Sequence, residues 1–409
     1  MIGGSWVLAG LEIGSSQTCA VIAEAHASHE PGDPLEVLGV GAVPSEGMKG
    51  STITHLEATT RCVREAIQQA ELMAGREVEC IYVGVPAPHL QISRSRGVVA
   101  VSGAEITPAH VKRVQEVGQA VPVPPGRDLI HALCQEYAVD GRDGIQDPVG
   151  MMATRLESDV CIVTAEATVC RDLSKAVDRA GYRPEELVMS SLASAFAVLA
   201  EADREAGVAL VELGGASTDM LVYVNRRLRH VASMPWGSAA VTRDIARGLG
   251  VPEDEASRLK ERFGVARRDA VDPKEQLDVS GASLGSSRRV SRELLAHIIE
   301  QRLDEILGLV YEELEREDLL DRLGAGIVLT GGGAHLPETV DLARSVFNLP
   351  VRLGIPGRGL VGATDALRHT GFAASTGLAL FGNLRQRAGS WAGATRTLSR
   401  VGDWLRDFF

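Results

Sequence analysis

No apolar run in this sequence reaches the roughly 18 residues that a membrane-crossing helix needs. The N-terminus carries neither the basic start nor the hydrophobic core of a secretory signal, so a cytoplasmic location is expected. Close cysteine pairs are also missing. Cys19, Cys62, Cys80, Cys134, Cys161 and Cys170 are scattered, which argues against a zinc site or a disulfide framework and leaves them as packing residues. A basic excess is absent too: 42 Lys and Arg stand against 54 Asp and Glu, a net charge of −12, so non-specific nucleic-acid binding is not expected. What remains is a chain of 409 residues with 45% hydrophobic content, long enough for two or more globular domains.

Its most informative feature is a repeated turn. Glu12-Ile13-Gly14-Ser15-Ser16 follows the apolar run Val7-Leu8-Ala9-Gly10-Leu11 and leads into Ala20-Val21-Ile22-Ala23. Much later, Glu212-Leu213-Gly214-Gly215-Ala216-Ser217-Thr218-Asp219 follows Val208-Ala209-Leu210-Val211 and leads into Met220-Leu221-Val222-Tyr223. Each reads as a buried hairpin with a glycine turn. Glycine lets backbone N–H groups approach phosphate oxygens. The hydroxyls of Ser15, Ser16, Ser217 and Thr218 can donate further hydrogen bonds, and the acids Glu12, Glu212 and Asp219 can hold a hydrated cation. Taken singly, each is also an ordinary tight turn. A third strand running into glycines, Ile327-Val328-Leu329-Thr330-Gly331-Gly332-Gly333-Ala334, offers bare backbone to a base or ribose. Together the three elements point to a nucleoside triphosphate with Mg2+, clasped between two related halves.

Two phosphate hairpins and a late triple-glycine turn, in this order, resemble the actin, Hsp70 and sugar-kinase superfamily. Within it the chain resembles FtsA, the actin-like family of bacterial cell-division proteins. The match is carried by Gly10-Leu11-Glu12-Ile13-Gly14, Ser45-Glu46-Gly47-Met48-Lys49-Gly50, Gln135-Glu136-Tyr137-Ala138-Val139-Asp140, Gly144-Ile145-Gln146-Asp147-Pro148-Val149-Gly150-Met151, Val241-Thr242-Arg243-Asp244-Ile245-Ala246 and Ala325-Gly326-Ile327-Val328-Leu329-Thr330-Gly331-Gly332. The block from Glu105 to Thr164 weighs most, because actin, Hsp70 and sugar kinases lack it. The resemblance implies an α/β fold: an actin-like two-lobed ATPase of duplicated ribonuclease-H-like domains, with an inserted α+β subdomain in the first lobe and a C-terminal amphipathic helix. It implies ATP and Mg2+ as ligands, self-association into filaments, docking of the C-terminal tail of FtsZ, and recruitment of later division proteins at the inner face of the cell membrane. Two other readings stay open, an Hsp70-like or sugar-kinase-like ATPase and an actin-like pilus-assembly adaptor.

The family pattern also shows departures. Gln17 stands where FtsA chains commonly have Lys, Ala216 where they have glycine, and Glu212 where they have Asp; the added methylene is enough to disturb placement of metal or water. Leu192-Ala193-Ser194 offers no obvious side chain to position an attacking water. ATP hydrolysis is therefore expected to be weak at most, with nucleotide acting as a switch.

Along the chain the expected division is as follows. Residues 1–85 and 165–204 form the first lobe, and 86–164 the insertion. Residues 205–244 and 322–382 form the second lobe, and 245–321 a helix-rich subdomain closing over the nucleotide. Residues 383–397 read as a linker and 398–409 as the terminal helix. Strands are predicted over 36–43, 79–85, 128–135 and 156–164, and helices over 53–73 and 105–121, the latter with Thr107 as cap and Pro108 at its first position. By resemblance Lys260 and Glu255 contact ribose or base; equally, they form a solvated charged helix face. Residues 269–292 are polar and Ser/Gly-rich and read as a loop, whose Arg288, Arg289 and Arg292 could meet an acidic peptide. At the end, Leu398, Val401, Trp404, Leu405, Phe408 and Phe409 recur at three to four residues. This stripe either docks on its own protein or lies on the membrane, as the family resemblance implies. One such helix binds weakly; many copies on a filament bind by avidity.

Overall fold

The computed structural model describes residues 5–26, 34–280 and 287–391. Leu398 to Phe409, the expected membrane helix, lies outside them. Among the described residues no helix is long and apolar enough to cross a membrane.

The first lobe opens with β1 (Ser5–Ile13), β2 (Gln17–His26), β3 (Leu35–Pro44), the short pair β4 (Met48–Lys49) and β5 (Thr52–Ile53), α1 (Leu56–Ala74) and β6 (Cys80–Val85). An insertion follows: β7 (Leu90–Glu105), α2 (Pro108–Gln119), β8 (Arg127–Val139), β9 (Arg142–Ile145) and β10 (Met152–Glu166). The chain returns through α3 (Ala167–Ala180), β11 (Arg183–Met189), α4 (Ser190–Val198) and α5 (Glu201–Ala206). The second lobe has β12 (Val208–Leu213), β13 (Thr218–Val224), β14 (Arg227–Met234), α6 (Ser238–Leu249), α7 (Glu253–Phe263), β15 (Gln276–Ser280), β16 (Ser287–Ser291), α8 (Arg292–Arg316), β17 (Gly326–Thr330), α9 (Thr339–Phe347) and β18 (Val351–Leu353). Last come β19 (Leu360–Gly362) and α10 (Ala373–Trp391).

Two sheets repeat one topology. The first runs β11-β6-β1-β2-β3-β19 and the second β14-β13-β12-β17-β18. In each, a hairpin of two antiparallel strands is flanked by a third antiparallel strand on one side and parallel strands on the other. The insertion has its own antiparallel sheet, β7-β10-β8-β9, whose buried Val99, Val101, Tyr137 and Leu156 pack on Val111 and Val114 of α2. The apolar spacing of α2 puts those valines on one face. Pro108 stands at its start, and the Thr107 N–H donates to Nδ1 of His110 (3.2 Å), filling one of the hydrogen bonds that a helix start leaves open.

The structure corrects three expectations. The segment 269–292 is not a loop throughout: β15 and β16 pair as a hairpin, and Arg292 starts α8. Its alternating apolar residues Leu277, Val279 and Val290 are buried, a period-two signal masked by the polar composition. Residues 383–391 continue α10 rather than opening a linker. Residues 355–391 also do not belong with the second lobe. β19 pairs with β3, and α10 lies against β1 and α4 in the first.

That return is permitted by glycine. A Cβ on Gly10 would run into Ser375 O and the Ala379 N of α10. With the two backbones this close, Phe381 packs edge-on against Tyr82 (6.2 Å), His131 (5.8 Å) and Phe196 (6.0 Å). These rings belong to a core that also takes in Leu210, Leu221 and Tyr223 of the second lobe, so α4 and α10 pack where the two lobes meet. His131 accepts a hydrogen bond from Met189 N (3.1 Å) in this core, and burial, then the charge of Arg385, pushes its pKa down to about 3.

Gly10→Ala should therefore destabilise the protein by about 1–3 kcal/mol in denaturant titration, the usual cost of overpacking. Gly308 sits in α8 with open space around it. Gly308→Ala should instead stabilise by about 0.5–1 kcal/mol. Equal stabilities for the two variants would contradict the close approach of α10 to β1.

Candidate functional site

The two glycine turns, remote in sequence, face each other across the lobes. Ala216 N donates to Ser15 Oγ at 2.9 Å, bridging one turn to the other. Behind the second turn, Ser238 N and Ala239 N at the start of α6 donate to the carbonyls of Gly214 and Gly215, both at 2.8 Å. With its carbonyls taken up from behind, this turn is held rigidly in place.

Beneath the turns lie three carboxyl groups. β-register pairs Glu212 directly with Asp219, whereas Glu12 pairs with Cys19, so the duplicated hairpins differ by one acid. Glu12 accepts from Ser190 Oγ (2.7 Å), Glu212 from Ser194 Oγ (3.0 Å) and Asp219 from Ser233 Oγ (2.5 Å). None forms an ion pair among the described residues. The electrostatic result is a raised proton affinity for all three. Burial pushes the Glu12 carboxyl up to about 7; the Ser190 hydroxyl opposes this and the charge of Asp219 adds to it. Glu212 is held well above the ordinary carboxylate range by burial, then by the charges of Glu12 and Asp219. Asp219 rises to about 6, again by burial, with the Ser233 and Ser217 hydroxyls opposing. Burial, then Glu12, pushes the neighbouring Cys19 thiol up to about 12. The three carboxyl oxygens do not all come within 4.8 Å of one another, so they form no direct three-ligand cage; what they could hold is a hydrated cation, reached through its water.

The turns and carboxyls line a cavity of about 1100 Å3 that runs between the lobes to Lys260, Gly331, Gly332, Gly333, His335 and His369. Lys260 Nζ donates to Thr242 Oγ1 (2.8 Å) and Ser238 O (3.3 Å) across the α6–α7 junction, and burial lowers its pKa.

A family model for "Cell division protein FtsA" matches residues 209–377, and one for "SHS2 domain inserted in FTSA" matches 87–164. Cell division protein FtsA of Pseudomonas aeruginosa is 35% identical over 383 residues, covering 94% of this chain and 91% of that protein. FtsA of Escherichia coli K12 is 33% identical over 407 residues, covering 98% and 96%. The chain belongs to the FtsA family. Among solved structures, the PilM-PilN type IV pilus biogenesis complex is similar with a TM-score of 0.63 at 15% identity, covering 92% of this chain and 98% of that chain. ADP-bound MreB5 of Spiroplasma citri reaches 0.54 at 10%, covering 94% and 98%. At such identities these two show the actin-like fold, and nothing further.

Of the residues expected at the site in this FtsA-family chain, Glu12, Gly14, Ser15, Ser16, Gln17, Glu212, Gly214, Gly215, Ser217, Asp219, Lys260, Gly331, Gly332 and Gly333 line the cavity together. Three lie elsewhere. Ala216 faces an adjoining cavity beside β14. Thr218 is buried and spends its hydroxyl on Trp236 O (2.7 Å). Glu255 is buried against Arg258 on its own helix, on a different face from the cleft-lining Ser257 and Lys260, two and five residues further on. Sequence reasoning missed Gly84, Ser190, Ser194 and the pair His335 and His369. The serines are separated from their carboxylates in sequence and carry no glycine signature. Gly84 is needed because a Cβ there would displace the Glu12 carboxylate and the Ser190 hydroxyl.

An acid whose folded pKa lies above its unfolded value binds more protons folded than unfolded between the two, so stability falls as pH rises through that window. Glu212→Gln removes this loss. In metal-free buffer its melting temperature should exceed that of wild type by a wider margin at about pH 8 than at about pH 5. Equal margins would contradict a raised Glu212.

Proposed function

We propose that this FtsA-family chain binds ATP with Mg2+ between its lobes, polymerises on the cytoplasmic face of the cell membrane at the division septum, tethers FtsZ filaments there and recruits later division proteins. The observation that carries the nucleotide reading is the Ala216–Ser15 hydrogen bond, which sets two serine-bearing turns face to face over three carboxyl groups. Phosphate oxygens are cradled by turn N–H groups and the hydroxyls of Ser15, Ser16 and Ser217. Glu12, Glu212 and Asp219 hold the hydrated Mg2+, which supplies the charge that offsets both carboxylates and phosphates. This matters because Gln17 brings no cation of its own.

Slow turnover of ATP follows from the same residues. Both turns carry the longer Glu, and each carboxylate already accepts a serine hydroxyl, so neither is shaped as a free base for water. The pilus-adaptor and chaperone or sugar-kinase readings have only fold likeness in their favour, against family identity over nearly the whole chain. For the FtsZ tail, the docking region in this reading is the helix-rich subdomain that the family resemblance implies. Arg292 is bonded there to Glu275 (2.9 Å), and Arg289 lies 3.4 Å from Asp278, which leaves Arg288 as the more available cation. Membrane attachment rests on residues 398–409, beyond the described residues.

Calorimetry should show ATP binding that requires Mg2+ and is weakened roughly tenfold or more by Gly84→Ala, about 1.4 kcal/mol. Binding indifferent to chelator or to this substitution would overturn the site. Vesicle flotation should be lost in Trp404→Glu/Phe408→Glu, and its retention would overturn the anchor.

A further inference from the structure

We infer that the cavity beside β14 is a second anion site, which takes the phosphate group of a small molecule and ties the insertion to the second lobe; this reading is independent of the nucleotide one. The cavity measures about 950 Å3. Its walls come from three parts of the chain: the β4–β5 hairpin at Ser51 and Thr52 in the first lobe, Ile92 to Arg94 of β7 in the insertion, and β14 with Ser217 of the second glycine turn. Ser51 and Ser217 line the nucleotide cleft as well, so the two cavities adjoin.

The chemistry of this cavity is the reverse of the cleft's. Six carboxyl side chains line the cleft, whereas among the described residues no Asp or Glu lines this cavity, in a chain whose acids outnumber its Lys and Arg by 54 to 42. Two arginines, two histidines and five hydroxyl side chains stand there instead. Three of the four basic groups are engaged. Arg94 pairs with Asp159 (2.7 Å) and donates to Leu228 O (2.8 Å), His230 Nε2 lies 2.7 Å from Glu313, and His89 Nε2 donates to Ser51 O (3.0 Å). Arg229 has no hydrogen bond or ion pair among the described residues. It is open to solvent, and partial burial, then the charges of Arg227 and Arg94, lowers its pKa, with Glu136 and Asp159 opposing. Those two acids are already paired, with Arg227 (2.6 Å) and Arg94. A guanidinium left without a counter-charge beside two other cations is stabilised by an anion. Its fork grips two phosphate oxygens at once, and a tetrahedral group keeps oxygens free for donors on the other walls. The hydroxyls of Ser51 and Ser93, which have no partner among the described residues, supply such donors. Leu90, Ile92 and Val231 add an apolar wall, and small-molecule pockets measure about 300–1,000 Å3, so there is room for an organic group on the phosphate.

The site is tested by calorimetric titration of the full-length chain with phenyl phosphate and with orthophosphate, at fixed ionic strength and in chelator, which keeps Mg2+-dependent binding in the cleft out of the signal. Wild type should bind phenyl phosphate, and Arg229→Gln should weaken that binding at least about tenfold, the loss of one charge-assisted pair. Arg113→Gln, which removes the same charge from an exposed position on α2, should leave it unchanged. Tighter binding of phenyl phosphate than of orthophosphate identifies an organic phosphate as the ligand class, and equal affinities identify the free ion. Binding that a folded Arg229→Gln retains in full, or that Arg113→Gln weakens as much, overturns the site. Failure of wild type to bind either phosphate at millimolar concentration overturns it too. A chain that binds phenyl phosphate through Arg229 but takes up no ATP with Mg2+ overturns the nucleotide reading alone.

Discussion

Three carboxyl groups packed without a cation, under two turns that touch through one hydrogen bond, set the terms for the rest of this molecule. The chain duplicates a strand-turn-strand unit and then brings the copies face to face, which puts Glu12, Glu212 and Asp219 along one cavity wall. Burial first, and then the neighbouring charges acting on Glu12 and Glu212, raises the proton affinity of the cluster, so near neutral pH Glu212 keeps its proton and Glu12 shares in one while Asp219 is largely ionised, and a metal ion can displace what is held. Ser190, Ser194 and Ser233 fix where each carboxyl points. Gly84 leaves the space in which Glu12 lies.

The insertion is tied to this centre. β14 carries Ser233, which donates to Asp219, and Leu228, whose N–H is taken by Gln135 Oε1 (2.9 Å) and whose carbonyl accepts from Arg94 (2.8 Å). Arg227 of the same strand pairs with Glu136 at 2.6 Å, both side chains being largely shielded from water. One strand therefore joins the carboxylate cluster in the second lobe to the sheet of the insertion. Movement of the second lobe would have to carry these bonds along or break them.

How much of this the sequence discloses depends on sequence distance. The glycine turns, the strands that frame them and the valine face of α2 are local patterns and were readable. So was the family, because its motifs recur along the chain. The return of β19 and α10 to the first lobe was not readable, since nothing in the Ala-rich sequence of α10 names Gly10 as its neighbour. The serine partners of the carboxylates, Ser190 and Ser194, lie on a helix that is apolar all round, where they pass for small core residues. Glu255 and Lys260 looked interchangeable on one charged helix. Only the packing of α7 shows that Lys260 meets the cleft and Glu255 the interior side.

The central claim is that the carboxyl cluster holds protons which cation and nucleotide displace. Calorimetric titration of Mg2+ with ATP near pH 7, repeated in buffers of different ionisation enthalpy, counts those protons directly. Release of about one proton or more from the protein per ATP bound, diminished in Glu212→Gln, is the expected result. Binding without proton release, identical in both proteins, would contradict it.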